Sequence, residues 1–353
     1  MDGQPRRPGR LLRHGGKEAP RVLLLGGSGA YALPKGTLGE RLSSRRVRTP
    51  YGFSNPVHLC ENAGFRFLFL SRHGESGYEK TAPYVNYRAN IYAAKSLGVT
   101  RIVAWTGPGA ISRKYRPGDL VLPDDLLDFT RNRPSTFYEG KGIGFIRQAP
   151  VFCDRLREAL RSAAKRREVL LRAKIGRYGG SLHFGGTYAC TEGPRLETTA
   201  EIRFLACAGA DLVGMTLCPE AFLARELEIC YAPVAYVTNY AEGVRKMPYR
   251  RGALFEGMLP PGEAAAVEAA KNAIPGIAIA AARAIAGEER DCPCAVSMER
   301  YRKRGVIGPD FRAWVAGPKG GGVEVHRGSG PAPLRSDPGS LEGEGADPPE
   351  SVR

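Results

Sequence analysis

Apolar residues in this chain gather in short runs, each closed by glycine or a small polar residue, and the runs are separated by stretches with helical spacing. The runs Arg21 to Leu25, Phe65 to Leu70, Arg101 to Trp105, Leu120 to Leu122, Asp211 to Met215 and Tyr231 to Thr238 read as strands. The helical stretches are Val85 to Leu97 closed by Gly98, Phe152 to Arg167, Thr199 to Ala208 closed by Gly209, Glu220 to Glu228, and the alanine-rich Ala264 to Ala286. Two start signals support them. Thr198 with Glu201 three residues on forms a capping box, which satisfies two orphan backbone donors reciprocally. Pro219 suits the first helical position, where no backbone donor is needed. Strands alternating with helices predict an α/β fold, a single domain with a mixed, largely parallel central sheet flanked by helices.

Both ends depart from this pattern. Residues 1 to 19 are basic and rich in Gly and Pro, and residues 288 to 353 turn charged and Gly/Pro-rich, with Gly317 to Gly322 and Ser329 to Ser351 nearly devoid of apolar runs. Such segments bury too little apolar surface to offset chain entropy, so both are expected to be disordered, leaving residues 20 to 287 as the domain. At 353 residues and 42% hydrophobic composition the chain can bury a large core. No stretch reaches the roughly 18 apolar residues of a membrane span. The basic start (Arg6, Arg7, Arg10, Arg13) has no apolar region behind it, so a cytoplasmic protein without a membrane partner is expected.

The net charge of +16 invites a test for nucleic acid. Residues 1 to 19 carry +3 and residues 288 to 353 carry −1, so +14 falls on the intervening domain. Nucleic-acid binders cluster such charge with stacking aromatics or a known motif. Here much of it falls in Arg155 to Arg172, which reads as the solvated face of a helix, and no nucleic-acid partner is expected. The field would still favour small anions such as phosphate. The eight cysteines are irregularly spaced, and Cys190, Cys207 and Cys230 sit among apolar residues as small hydrophobes. Cys292-Pro293-Cys294 is the exception. With no His or second Cys pair nearby it lacks the ligand count of a metal site, so the expectation is an unpaired pair in a tail, and no metal.

Sheets of this kind bind ligands beyond the carboxyl ends of their strands. The residues there are Gly27-Ser28-Gly29, Arg72-His73, Thr106-Gly107, Thr216 and Asn239, all of them small or polar. Gly27-x-Gly29-x-x-Ala32 formally matches a dinucleotide fingerprint, but Pro34, Gly36 and Gly39 forbid the helix that must open there. A loop bringing backbone N–H groups and the Ser28 hydroxyl to a single anion is the better reading. In Ser71-Arg72-His73-Gly74, arginine offers a planar fork matched to phosphate oxygens, and His73 adds a donor or holds a proton. Thr106 and Gly107 leave the backbone approachable. Thr216 suits a phosphate or a hydroxyl, and Met215 suits packing on a sugar.

Together these segments resemble the trimeric family of purine nucleoside and methylthioadenosine phosphorylases, from about Arg21 to Glu242. The signposts, in order, are Gly26 to Tyr31 (GGSGAY), Thr49 to Gly52 (TPYG), Ser71 to Gly74 (SRHG), Val85 to Asn90 (VNYRAN), Pro117 to Asp119, Asp128 to Thr130, Glu192 to Arg195 (EGPR), and Gly214 to Thr216 followed by Pro219-Glu220. The resemblance implies the nucleoside phosphorylase fold and a homotrimer or dimer of trimers. It also implies purine nucleoside and phosphate as substrates, with no cofactor beyond phosphate itself. Carried over by motif, Ser28, Arg72, His73, Thr106, Gly107 and Thr216 would hold phosphate, with His73 as a donor. Met215 would pack on the ribose, and Leu196, Glu197 and Asn239 would meet the base.

The order of motifs looks closer to the methylthioadenosine branch, yet the base site departs from it. Where that branch has two aspartates after the last core strand, this chain has Asn239 and Ala241; where it has a serine past Gly-Pro-Arg, this chain has Glu197. Glutamate and asparagine at these places are what 6-oxopurine phosphorylases use. An ionised Glu197 only accepts hydrogen bonds, so it suits the N1–H of hypoxanthine or guanine and opposes the N1 lone pair of adenine. The Asn239 amide can present either face, and can donate to N7 or O6 as the base departs. These two residues are therefore the candidate catalytic pair. No histidine occurs between His183 and His326 to meet a 5′-hydroxyl, and Leu254, Phe255, Met258 and Leu259 could face a methylthio group instead. The expected activity is phosphorolysis of inosine and guanosine. The alternatives are methylthioadenosine or methylthioinosine phosphorolysis, and a non-catalytic nucleoside- or nucleic-acid-binding protein on the same fold.

Overall fold

The computed structural model describes residues 21–166, 180–246, 251–252, 254 and 259–315. The chain opens with β1 (Val22–Gly26), β2 (Glu40–Arg45), the short β3 (Arg48–Thr49) and β4 (Gly52–Phe53), β5 (Val57–Asn62) and β6 (Phe65–Ser71). Next come α1 (Tyr87–Ser96), β7 (Arg101–Thr106), β8 (Gly109–Ala110), β9 (Leu120–Leu122), β10 (Asp125–Phe129) and α2 (Asp154–Lys165). They are followed by β11 (Leu182–Phe184), β12 (Thr187–Thr191), α3 (Thr199–Cys207), β13 (Leu212–Gly214), α4 (Glu220–Glu226), β14 (Cys230–Tyr236) and β15 (Asn239–Tyr240). The described chain closes with α5 (Pro261–Ile285) and α6 (Glu299–Lys303).

Two mixed sheets carry the architecture. One has eight strands in the order β11-β9-β14-β7-β1-β6-β5-β2, and the other has five in the order β10-β12-β13-β8-β15. At the centre of the larger sheet β14, β7, β1 and β6 run parallel. Neighbouring residues of β1 enter different cores: Val22 and Leu24 pack with α2 and α5, while Leu23 and Leu25 pack with α1 and α4. A strand covered on both faces has no wet side, which is why it reads as an unbroken apolar run. On α2, Leu156, Leu160, Ala163 and Ala164 form the buried stripe, and arginines 155 and 161 stay outside. The part of that basic stretch from 167 to 172 lies outside the described residues.

The capping box at Thr198 and Glu201 is present with both reciprocal bonds. Pro219 differs from expectation: it occupies the cap position before α4, after a cis Cys218–Pro219 bond, and Glu220 begins the helix. Strands β2, β5, β10, β11 and β12, and the two-residue β3, β4, β8 and β15, differ from expectation in being present at all. β2 is an edge strand whose residues, Glu40 to Arg45, are exposed or half-buried, so it carries no apolar run.

Residues 288 to 315 are not the disordered tail expected from composition. Met298, Tyr301, Phe311, Trp314 and Val315 are buried in the same core as α1, and the Phe311 and Tyr92 rings lie 5.3 Å apart. Arg302 forks onto Glu228 at 2.7 and 2.8 Å. These anchors occur singly among charges, so no periodicity announces them. Residues 1–20 and 316–353 lie outside the described residues. No described helix is long and apolar enough to cross a membrane.

Candidate active site

The carboxyl ends of β1, β6 and β7, on the large sheet, meet the small sheet where the chain crosses from β7 to β8 and from β14 to β15. A cavity of about 760 Å³ opens at this junction. Ser28, His73, Thr106, Gly107, Leu196, Glu197, Met215, Thr216 and Asn239 all line it. Leu254 and Leu259 join them, whereas Phe255 and Met258 lie outside the described residues. Tyr31, the end of the GGSGAY segment, also contributes to the wall, as do Tyr78, Val267, Glu268 and Lys271, which carried no recognisable signal in the sequence.

A cluster of hydroxyls forms where the two sheets meet, Thr106 ending β7 of the large sheet while Tyr188 on β12 and Thr216 just after β13 come from the small one. Thr106 Oγ1 lies 3.2 Å from Tyr188 Oη and 3.3 Å from Thr216 Oγ1. Burial raises the Tyr188 pKa and keeps its phenol protonated. Such long mutual bonds can be exchanged for an anion without loss of pairing. Ser28 Oγ is 2.5 Å from Tyr78 Oη, and the Tyr78 ring packs 4.6 Å from that of His73. Gly27 lets the end of β1 lie against the end of β7 and the Arg72 guanidinium. A Cβ there would collide with the Trp105 carbonyl and come within 2.8 Å of Arg72 Nη1.

Arg72 corrects the expectation of a phosphate fork. Its guanidinium is fully buried and is not among the groups lining the cavity. Nε and Nη2 donate to the two Glu220 oxygens at 2.8 and 2.7 Å, and Nη1 donates to the Trp105 carbonyl at 3.3 Å. Tyr231 Oη donates to the same carboxylate at 2.7 Å. Burial opposes the Arg72 charge, and the Glu220 carboxylate more than restores it. A guanidinium so deep requires a carboxylate to neutralise it. Arg72 thus ties α4 to the end of β7 behind the cradle.

His73 is corrected too. Its Nδ1 is 2.9 Å from the Lys80 carbonyl, which can only accept, so Nδ1 carries the hydrogen. Burial, and then the Arg72 charge, push its pKa down to about 4. At neutral pH Nε2 therefore offers a lone pair, and His73 accepts from a hydroxyl rather than donating to an anion.

The small sheet holds the other wall. Thr191 Oγ1, at the end of β12, donates to Glu197 Oε1 at 2.5 Å; no described side chain donates to Oε2. Asn239 begins β15, paired in register with Gly109 of β8. Its Nδ2 donates to the Tyr240 carbonyl at 2.7 Å, and its Oδ1 lies 2.6 Å from Thr238 Oγ1. A carbonyl cannot face a carbonyl, so the amide nitrogen is locked toward Tyr240 and its second hydrogen remains for a ligand. This settles the face that the sequence left open. Gly193 packs Met215 into the wall between these groups and the cradle.

The profile of the family described as "Phosphorylase superfamily" matches residues 23–275. A probable 6-oxopurine nucleoside phosphorylase of Thermococcus kodakarensis is 45% identical over 232 residues, covering 64% of this chain and 81% of that protein. A probable S-methyl-5′-thioinosine phosphorylase of Methanothermobacter thermautotrophicus is 39% identical over 271 residues, covering 77% and 86%. Among solved structures, a methylthioadenosine phosphorylase from an antarctic soil metagenomic library superposes with a TM-score of 0.67 at 32% identity, covering 80% of this chain and 91% of that one. Parallel strands ending on an anion-sized hydroxyl cluster, within a chain so extensively matched, place this protein in the phosphorylase superfamily.

Proposed function

We propose that the protein cleaves 6-oxopurine nucleosides with inorganic phosphate, giving the free base and ribose 1-phosphate. The observation that carries this reading is the pairing of Glu197 and Asn239 on one cavity, an acceptor beside an amide locked as a donor. A 6-oxopurine presents the complement: N1–H for Glu197, with N7 and O6 for the Asn239 nitrogen. Adenine would set its N1 lone pair against the carboxylate. A site built to bond one group rejects the analogue lacking it by up to about 10⁴- to 10⁵-fold.

In the proposed step a phosphate oxygen bonds to the anomeric carbon as the bond from that carbon to N9 breaks, its electron pair going to the purine. Positive charge grows on the sugar and negative charge on the base, so positioning and electrostatics do the catalysis. Ser28, Thr106, Thr216 and backbone N–H groups near Gly107 hold the phosphate. His73 Nε2 accepts a hydrogen from monoprotonated phosphate or a ribose hydroxyl, and Asn239 Nδ2 stabilises charge arriving at N7 and O6. Phosphate is the co-substrate and the reaction needs no other cofactor. We place the enzyme in the cytoplasm as a homotrimer or dimer of trimers, which sedimentation at micromolar concentration tests.

One observation favours a second reading. Leu254, Leu259 and Val267 make part of the wall apolar, which suits a 5′-methylthio group and hence methylthioinosine. A panel of inosine, guanosine, methylthioinosine and methylthioadenosine, with and without phosphate, decides. Phosphate-dependent release of hypoxanthine or guanine is expected; release of adenine alone would overturn the reading of Glu197 and Asn239.

A further inference from the structure

At the opposite end of the large sheet the fold assembles a group of residues that the proposed reaction does not use. Cys153 caps the start of α2, Cys230 begins β14, Cys292 caps the 3-10 turn Pro293–Val296 and Cys294 lies within it. All four are buried, and their sulfurs lie within 4.8 Å of one another. The Cys230 and Cys292 sulfurs are 3.3 Å apart. Four thiolates around zinc at about 2.3 Å sit roughly 3.8 Å from each other, and these separations lie in that range. Two disulfides would need sulfurs joined in pairs at about 2.0 Å; nothing in pairwise bonding brings every sulfur close to every other. The Cys292-Pro293-Cys294 turn aims two ligands at one point, and the remaining two come from separate elements.

Charge supports the same conclusion. Four thiolates and one divalent ion leave a net negative centre, which is costly to bury alone. Arg101, itself buried, is the register partner of Cys230 on β7, and its positive charge interacts electrostatically with Cys230, Cys292 and Cys153. It also donates to the Glu288 carbonyl, just before the Cys-Pro-Cys turn. Cys292 is the least enclosed of the four, at 9% exposure, and gives an ion a way in. The chain returning after α5 is held here against α2 and β14 before it supplies Met298, Tyr301, Phe311 and Trp314 to the core. β14 is seven residues long, so its two ends are roughly 20 Å apart.

We propose that Cys153, Cys230, Cys292 and Cys294 bind one thiophilic divalent cation, of the zinc class, as a structural tie between the C-terminal segment and the sheet. This replaces the expectation of no metal, which rested on seeing two cysteines where the fold provides four. The ion takes no part in phosphorolysis, and the inference does not depend on the proposed substrate.

The test uses the full chain purified under reducing conditions without chelator. Elemental analysis is expected to find one zinc per chain, retained through dialysis and released by an organomercurial as four thiols react. Exchange into cobalt(II) is expected to give the sulfur-to-metal charge-transfer and visible bands of a tetrahedral tetrathiolate. The double variant Cys292→Ser/Cys294→Ser is expected to lose the metal and to melt lower by roughly 10 °C, with kcat/KM at 25 °C kept within about twofold; Cys207→Ser keeps its metal. A metal-free protein with all eight thiols titratable and no cobalt spectrum overturns the proposal, as does a metal-free protein with these four cysteines paired in disulfides. Should the double variant fail to fold, the wild-type metal content and cobalt spectrum still decide.

Discussion

Strands β7 and β14 lie side by side, and their two ends do opposite work. Their carboxyl ends lead to Thr106, Gly107 and Asn239, polar groups whose hydrogen-bonding capacity is only partly used. Their amino ends begin with Arg101 and Cys230, buried against Cys153, Cys292 and Cys294. A ligand site must keep donors and acceptors in reserve, because full internal satisfaction would leave nothing to exchange for substrate. A structural tie gains from the reverse, since each unused polar group in it is a cost. The two ends should therefore respond to substitution in different measurements, one in turnover and the other in stability.

The largest expected effect breaks the support behind the cavity. Glu220→Leu leaves the Arg72 guanidinium buried without its carboxylate and should cost about 3–5 kcal/mol in chemical denaturation; a loss below 1 kcal/mol would mean that Arg72 finds another partner. Asn239→Ala should lower kcat on inosine by about 10²- to 10³-fold, the usual worth of a donor aimed at developing charge. Its melting temperature should scarcely move. Glu197→Ala should erode the preference for inosine over adenosine more than it slows inosine, read as the ratio of the two kcat/KM values.

pH gives a finer comparison. His73 has a folded pKa near 4, below its ordinary 6.5, so the unfolded chain binds the extra proton first. The stability from keeping it neutral is whole above about 6.5 and is lost as pH falls toward 4. Glu226, raised to about 7 by burial, titrates nearby, and burial also lowers His58. Both remain in a His73→Gln variant, so the difference between the two stability–pH curves isolates His73. Equal curves would rule out its burial as a neutral ring. The smallest effect is at the helix cap that follows Glu197. Thr198→Ala removes a capping-box bond and should cost about 1 kcal/mol, with a modest rise in KM if that helix start positions the carboxylate.

The contrast between the ends also explains what could be read before folding. The cradle was legible because its parts are local: a glycine loop, a strand end, a hydroxyl beside a thioether, each short enough for order along the chain to identify it. The cysteine cluster was not, because its ligands lie on α2, on β14 and in the turn after α5, and only Cys292 and Cys294 are neighbours in sequence. The C-terminal segment was misread for a related reason. Tyr301, Phe311 and Trp314 bury one ring at a time amid charge, a pattern that composition cannot tell from a tail.

By itself the amino-acid sequence determined the α/β class, the central parallel strands with their main helices, and much of the cavity's wall, since apolar runs, caps and loop chemistry act over a few residues. Tertiary structure decided how those groups are used. Arg72 meets Glu220 across 148 positions, His73 is set as an acceptor by a carbonyl seven residues on, and Asn239 is turned by its neighbours Thr238 and Tyr240. Hydrogen bonds saturate, so a side chain's role depends on which partners reach it first, and burial decides whether its charge survives. Neither is known until the chain has folded.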